Sequence, residues 1–159
     1  MNRKNLSIYL NDHLAGAIAG TELAKRSAQS NQGTEWGDFL ESLSAEIEQD
    51  RSQLIALMDQ LGIKKDLLKD AAAWLGEKVG RLKLNGQIVG YSDLSRLVEL
   101  EGLALGVHGK LSLWESLKKL SLPEVKAAGL DLDDLVIRAQ KQRNDLEDFR
   151  LRAAAKAFS

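Results

Sequence analysis

Apolar residues recur along this chain at steps of three and four, the spacing of one face of an α-helix. The clearest stretch predicts a helix that starts after Thr34, a good N-cap residue, and ends at Gly62, a good C-terminal cap. One residue on its inner face is a carboxylate. Because an isolated carboxylate is costly to bury, we predict a hydrogen-bonding, ionic or metal partner for it. The inner positions are Trp36, Leu40, Leu43, Ile47, Asp50, Leu54, Leu57 and Leu61.

The same spacing predicts three further helices. The first helix of the chain runs from near Asn5 to near Asn31, the third begins after Ser92, and the fourth begins at Asp131. The segment with Pro123 and Gly129, between the third and fourth helices, is predicted to be a turn. The inner positions are Leu6, Leu10, Leu14, Ala17 and Ala24 in the first helix, Leu97, Leu100, Ala104, Val107, Leu111 and Trp114 in the third, and Leu132, Leu135, Ala139, Gln142, Leu146, Phe149 and Ala153 in the fourth.

The long connection from Gly62 to Tyr91 sets the predicted topology. It holds an apolar-periodic piece, "DLLKDAAAWLGEKVGRLKL", and is long enough to return along a helix of about 40 Å. The other two connections are short, which implies antiparallel neighbours. We therefore predict a single all-α domain over residues 1–159, a four-helix bundle of two hairpins joined by a long, partly helical crossover. A simple up-down bundle with a fifth packed helix is the alternative.

Composition removes several classes of function. Lys plus Arg number 22 and Asp plus Glu number 23, a balance that argues against dedicated binding of nucleic acid. The chain has no cysteine, so disulfides, thiolate metal sites and cysteine nucleophiles are excluded. No stretch approaches the roughly 20 apolar residues of a membrane span, and the opening residues have no signal-peptide pattern. We expect a cytoplasmic protein with no membrane span.

Four polar residues are predicted to meet at one level of the bundle. With a rise of about 1.5 Å per residue, His13, Asp50, His108 and Gln142 fall at similar heights on their four helices. His108 is the expected partner of Asp50. A buried network that fixes the register of the helices is the favoured interpretation, and a metal centre is the alternative.

Glycines interrupt two of the predicted helices. Gly16 and Gly20 lie in the first helix, and Gly102, Gly106 and Gly109 lie in the third. Each interior glycine costs about 1 kcal/mol relative to alanine, so the pattern needs a physical reason. Close packing of the two helix backbones is the favoured explanation, and space for a ligand between them is the alternative.

The four helical stretches together resemble the ferritin-like superfamily. The resemblance is carried by "YLNDHLAGAIAGTELAKR", "EIEQDRSQLIALMDQLG", "LVELEGLALGVHGKLSLW" and "AQKQRNDLEDFRLRAAAKAF", and it covers nearly the whole chain. Di-iron members of that superfamily use two single glutamates and two Glu-x-x-His motifs. Glu22 and Glu101 match the single glutamates, but Leu10 and Leu105 stand where a Glu would have to precede His13 and His108. The chain is thus similar to small ferritin-like families that lack the full di-iron motif.

The resemblance implies two main hypotheses for function. The favoured one is a non-catalytic bundle that acts by association, for example as a homodimer through an apolar helix face that includes Trp36, Trp74 or Trp114. The alternative is a metal-binding, metal-dependent redox or storage protein with a diverged site. No catalytic residue and no cofactor are expected. Iron, manganese or zinc would suit the candidate ligands Glu22, Glu46, Asp50, Glu101 and His108. A small-molecule carrier that uses the glycine-lined space is a third hypothesis.

Overall fold

The computed structural model describes residues 2–66 and 90–159, which form five α-helices. They are α1 (Arg3–Ser30), α2 (Glu35–Gln60), α3 (Asp93–Leu120), α4 (Pro123–Ala127) and α5 (Leu132–Ala157). The prediction of an all-α chain is confirmed for these residues. The four long helices are the predicted ones, with ends that differ by one or two residues. The short α4 was not predicted, and it occupies the turn that contains Pro123.

The ends of the helices follow from local capping chemistry. The side chains of Thr34, Ser92 and Asp131 each accept a hydrogen bond from a backbone N–H in the first turn of α2, α3 and α5. Gly62 follows α2 with a φ of 62°, a left-handed conformation that glycine adopts without strain. The caps at Thr34, Ser92 and Gly62 were predicted correctly because capping depends on only a few neighbouring residues, whereas Asp131 was predicted as the first residue of its helix and is the N-cap.

Contacts between side chains fix the directions of the long helices. Residues near the start of α1 contact the end of α2 and the end of α3, so both helices are antiparallel to α1. Residues near the start of α2 contact the end of α5, so α2 and α5 are antiparallel as well. α2 and α3 therefore run in the same direction. The contacts are Arg3–Leu61, Tyr9–Ser116, Ser27–Glu99 and Arg152–Glu35.

The interior has two apolar clusters with a polar layer between them. All eight predicted inner positions of α2 are buried. Ile47 belongs to one cluster and Leu54 to the other, and Asp50 lies between them in the sequence. On α5, Gln142 likewise separates Ala139 from Leu146. Asp50 and Gln142 therefore lie at the same interior level of the bundle.

The predicted crossover lies mainly on residues 67–89, outside the described residues, and so does Trp74. No helix in the described ranges is long and apolar enough to cross a membrane. Trp36 and Trp114 are 5% and 1% exposed. Because both indoles are core residues, neither offers the apolar surface for a second copy that the sequence suggested.

Candidate functional site

The polar layer is built around the carboxylate of Asp50, which is 3% exposed. Oδ2 accepts a hydrogen bond from Lys110 Nζ at 2.5 Å, and Oδ1 accepts one from Arg138 Nη2. Gln142 donates to Oδ2 at 3.4 Å. The carboxylate thus has two cationic partners and one amide partner, which compensates for its loss of water.

The partners of Asp50 are themselves connected. Lys110 also donates to Gln142 Oε1 at 2.5 Å, and Gln142 Nε2 donates to Glu46 Oε2 at 2.7 Å. Arg138 donates to Gln49 Oε1 at 3.0 Å. The network therefore joins α2, α3 and α5 through directional bonds. Directional bonds between helices oppose the sliding of one helix past another.

His108 does not belong to this layer, and the prediction that it pairs with Asp50 is wrong. Its side chain is exposed, whereas Lys110, two residues later, contacts Asp50. Residues two apart on a helix point in very different directions, so both cannot face the interior. Lys110 lies beside the inner face of α3, and its long aliphatic stem lets the ammonium reach Asp50.

His13 is half-buried on α1, and its partner is an aromatic ring. The rings of His13 and Tyr9 are 4.5 Å apart and nearly perpendicular. Burial lowers the pKa of His13, and the neighbouring carboxylate of Asp12 opposes part of that effect. His13 is therefore near the predicted level but is not hydrogen-bonded to Asp50 in the described structure.

The candidate metal ligands do not converge. Glu22, Glu101 and His108 are exposed, Glu46 is half-buried, and Asp50 already has two cationic partners. Arg150 lies 3.6 Å from Glu101 and pairs with it. In the described part of the chain, no three His, Asp or Glu side chains form a group that could hold a metal ion. These residues do not fit a shared metal centre.

A cavity of about 550 Å³ lies between α1 and α3, with α2 as its floor. Glycines of both interrupted helices line it, so the glycines of α1 and α3 face each other across the cavity. The favoured explanation, close backbone packing, is wrong for four of the five glycines. A Cβ added to any of them would meet no described atom within 4 Å. These four are Gly16, Gly20, Gly106 and Gly109. Only at Gly102 is the space tight, with Leu23 Cδ2 at 3.3 Å.

The cavity wall is apolar over most of its surface and polar in one region. The helix register places Leu23, Ile47 and Leu103 in the half of the cavity near Glu99. The other half contains the edge of the polar layer. Its polar side chains are Asp12, His13, Asp50, Arg51, Lys110 and Trp114. An apolar pocket with a few convergent polar groups is the usual form of a small-molecule site.

The positions of Lys110 and Arg138 on their helices are signals in the sequence that indicate a contact with Asp50. Lys110 is three residues after Val107 and four before Trp114, so it borders the inner face of α3. Arg138 stands four residues before Gln142, at the level where Asp50 needs a counter-charge. We did not predict either residue, because lysine and arginine at the edge of an apolar face usually extend into solvent.

A second buried carboxylate closes the far end of the cavity. Glu99 is 8% exposed and accepts hydrogen bonds from Arg26, Ser27 and Tyr91, the last two at 2.7 and 2.9 Å. Burial and the Glu99 charge raise the pKa of Tyr91, so its hydroxyl stays protonated and donates.

No protein-family model, curated protein or solved structure matches this chain. The site is therefore interpreted from its own geometry and charges.

Proposed function

We propose that this protein acts by binding, and that it holds a small, largely apolar molecule in the cavity between α1 and α3. The observation that carries this proposal is the open space beside four glycines within α1 and α3, of which Gly16 and Gly106 are exposed and Gly20 and Gly109 are half-buried. Each of these glycines gives up helix stability of about 1 kcal/mol relative to alanine. Close packing does not account for them, since an added Cβ would meet nothing within 4 Å among the described residues. A ligand that needs the space does account for them.

The volume and the lining also support a ligand site. A cavity of about 550 Å³ falls within the range of known small-molecule pockets, roughly 300–1,000 Å³. The wall is continuous with the apolar cores on both sides, through Ile47 and Leu54 of α2. An apolar molecule placed there would leave water for a surface made mainly of carbon, which favours binding in proportion to the area covered.

A ferritin-like scaffold is part of the proposal. Its support is the pair of antiparallel hairpins, α1 with α2 and α3 with α5, in which α2 and α3 run in the same direction. In such bundles, ligand sites lie in the core between facing helices. Here the carboxylate at the centre of the bundle is paired with Lys110 and Arg138. The proposed role is therefore binding of a ligand in the neighbouring cavity, and a metal at the centre of the bundle is not part of it.

Binding of a fluorescent apolar probe tests the proposal. N-phenylnaphthylamine carries no ionised group at neutral pH, and its emission rises when it leaves water. We expect saturable binding to the wild-type chain. Gly106→Leu should abolish binding, since the leucine occupies the open space. Ala45→Leu, which adds a larger side chain at an exposed position of α2, should leave binding unchanged.

Two results would overturn the proposal. One is that the wild-type chain does not bind the probe. The other is that Gly106→Leu and Ala45→Leu bind it equally well, which would place the probe elsewhere on the surface. If, in addition, Gly106→Leu lowers the melting temperature of the ligand-free protein, other residues of this chain already fill the space.

A further inference from the structure

We propose that the ligand is an amphiphile whose polar end is an oxygen acceptor, such as a carboxylate or a carbonyl, held by Lys110, Arg51 and Trp114. This inference rests on the proposed function and adds the chemical class of the ligand. It follows from an imbalance between donors and acceptors at the polar region of the cavity.

Two buried N–H groups in this region have no acceptor among the described residues, and Lys110 has one ammonium proton beyond its two hydrogen bonds. Trp114 is 1% exposed, and its Nε1–H has no partner in the described structure. The Nε–H of Arg51 is buried and also lacks a partner, while its Nη2 pairs with Glu48. Lys110 has three ammonium protons and uses two of them, for Asp50 and Gln142. All three side chains line the cavity.

Unpartnered buried donors are unusual, and each costs about 1–3 kcal/mol when it is left without an acceptor. A single oxygen group can accept several hydrogen bonds, because a carboxylate has about four lone-pair sites. One ligand head group in this region could therefore accept hydrogen bonds from more than one of these side chains. That is the observation that distinguishes this cavity from a simple gap between helices.

The acidic side chains of the wall are already paired or exposed, so they do not favour a cationic ligand. Asp50 is held by Lys110 and Arg138, and Glu99 by Arg26. Glu101 pairs with Arg150. Asp12 is exposed, and a charge in water attracts a ligand only weakly. Among the described residues, the buried polar atoms of the cavity wall that have no hydrogen-bond partner are both donors, Arg51 Nε and Trp114 Nε1.

The position of the donors sets the orientation of the ligand. Arg51, Lys110 and Trp114 lie in the half of the cavity near His13, and the opposite half is walled by Leu23, Ile47 and Leu103. The acceptor head would lie against the donors, and the apolar body would extend along the glycines toward Leu23.

A series of ligands with the same chain and different heads tests the inference. The probes are decanoate, methyl decanoate and decylammonium, and the measurement is the dissociation constant from isothermal titration calorimetry. We expect decanoate and methyl decanoate to bind more tightly than decylammonium by about tenfold or more, because only the first two present acceptors without an ionised donor. The comparison of decanoate with methyl decanoate shows whether the site prefers a charged or a neutral acceptor.

Two substitutions locate the head. Trp114→Phe removes the indole N–H and keeps an aromatic ring, and Arg51→Met removes the guanidinium and keeps a long side chain. Each should weaken binding of decanoate and leave decylammonium nearly unchanged. Arg143→Met, at an exposed position of α5 outside the cavity, is the matched control and should change neither.

The outcomes separate this inference from the proposed function. If all three probes bind with similar affinity and Gly106→Leu abolishes binding, the cavity binds ligands but the head-group inference is wrong. The same conclusion follows if decanoate binds equally to wild type, Trp114→Phe and Arg51→Met. If neither the apolar probe nor any of the three amphiphiles binds the wild-type chain, the proposed function fails and this inference fails with it.

Discussion

Asp50 shows how one residue can be unfavourable alone and stable in its setting. Its carboxylate is almost fully removed from water, and Lys110 and Arg138 supply two opposite charges. Burial lowers the pKa of Lys110, and the pairing with Asp50 opposes that effect. The carboxylate of Asp50 therefore favours the charged form of Lys110. Removing either charge alone should destabilise the folded protein, although the pair as a whole contributes little net stability.

A double-mutant cycle at this pair is the first residue-scale prediction. Asp50→Ala should lower the free energy of unfolding by about 3–5 kcal/mol, because it leaves the ammonium of Lys110 buried without a counter-charge. The double variant Asp50→Ala with Lys110→Met, compared with each single variant, should recover part of that loss, since no ammonium then lacks its counter-charge and Arg138 keeps its bond to Gln49. Urea unfolding measures all of these variants.

The exposed pair Lys118–Asp133 gives the control for this cycle. Both side chains are more than half exposed, so Asp133→Ala should change the free energy of unfolding by less than about 1 kcal/mol. Equal losses for Asp50→Ala and Asp133→Ala would contradict the account of the polar layer given above.

At the scale of the helices, glycine has two opposite roles in this chain. Gly37 lies in the first turn of α2, where a Cβ would collide with the backbone carbonyl of Asn31. That carbonyl also accepts a hydrogen bond from the Thr34 hydroxyl, so it is held in place. At Gly106 of α3, by contrast, a Cβ would meet no atom of the described chain within 4 Å. The first glycine permits a close approach, and the second lines open space.

The same substitution should therefore have opposite effects at these two positions. Gly37→Ala should lower the free energy of unfolding by about 1–3 kcal/mol, as backbone atoms cannot move aside cheaply. Gly106→Ala should raise it by up to about 1 kcal/mol, because alanine is the better helix former and meets no obstacle. Thermal melts followed by circular dichroism measure both. Destabilisation by Gly106→Ala would indicate close packing at that site and would remove the main support for the ligand proposal.

For the whole molecule, His13 couples stability to pH. Its folded-state pKa is lowered, mainly by burial, so the unfolded chain binds a proton more readily than the folded protein does. This contribution to stability is present above the unfolded pKa, about 6.5, and is lost as the pH falls from that value through the lower folded-state pKa. We expect the free energy of unfolding to decrease from pH 7.5 toward about pH 5.5. The decrease should be smaller in His13→Asn.

His108→Asn is the matched control, since His108 is exposed on α3. It should keep the wild-type dependence of stability on pH. Urea unfolding at a series of pH values tests both variants, with ionic strength held constant. A wild-type pH dependence in His13→Asn would show that other groups produce the effect.

The sequence determined the four long helices, their caps and the inner face of α2. It did so because capping and helical periodicity involve only residues close together in the chain, and Thr34, Ser92 and Gly62 carry those signals. It also identified Asp50 and Gln142 as members of one interior level, since height along a helix follows from residue number.

Only the tertiary structure decided that Lys110, and not His108, faces Asp50, and that Gly16 and Gly106 border open space. Both outcomes depend on the rotation of each helix about its axis and on the distance between α1 and α3. Those quantities result from packing across the whole bundle, which no local pattern of residues records. The height of each polar side chain along the bundle follows from its residue number, and packing between the helices decides its partner.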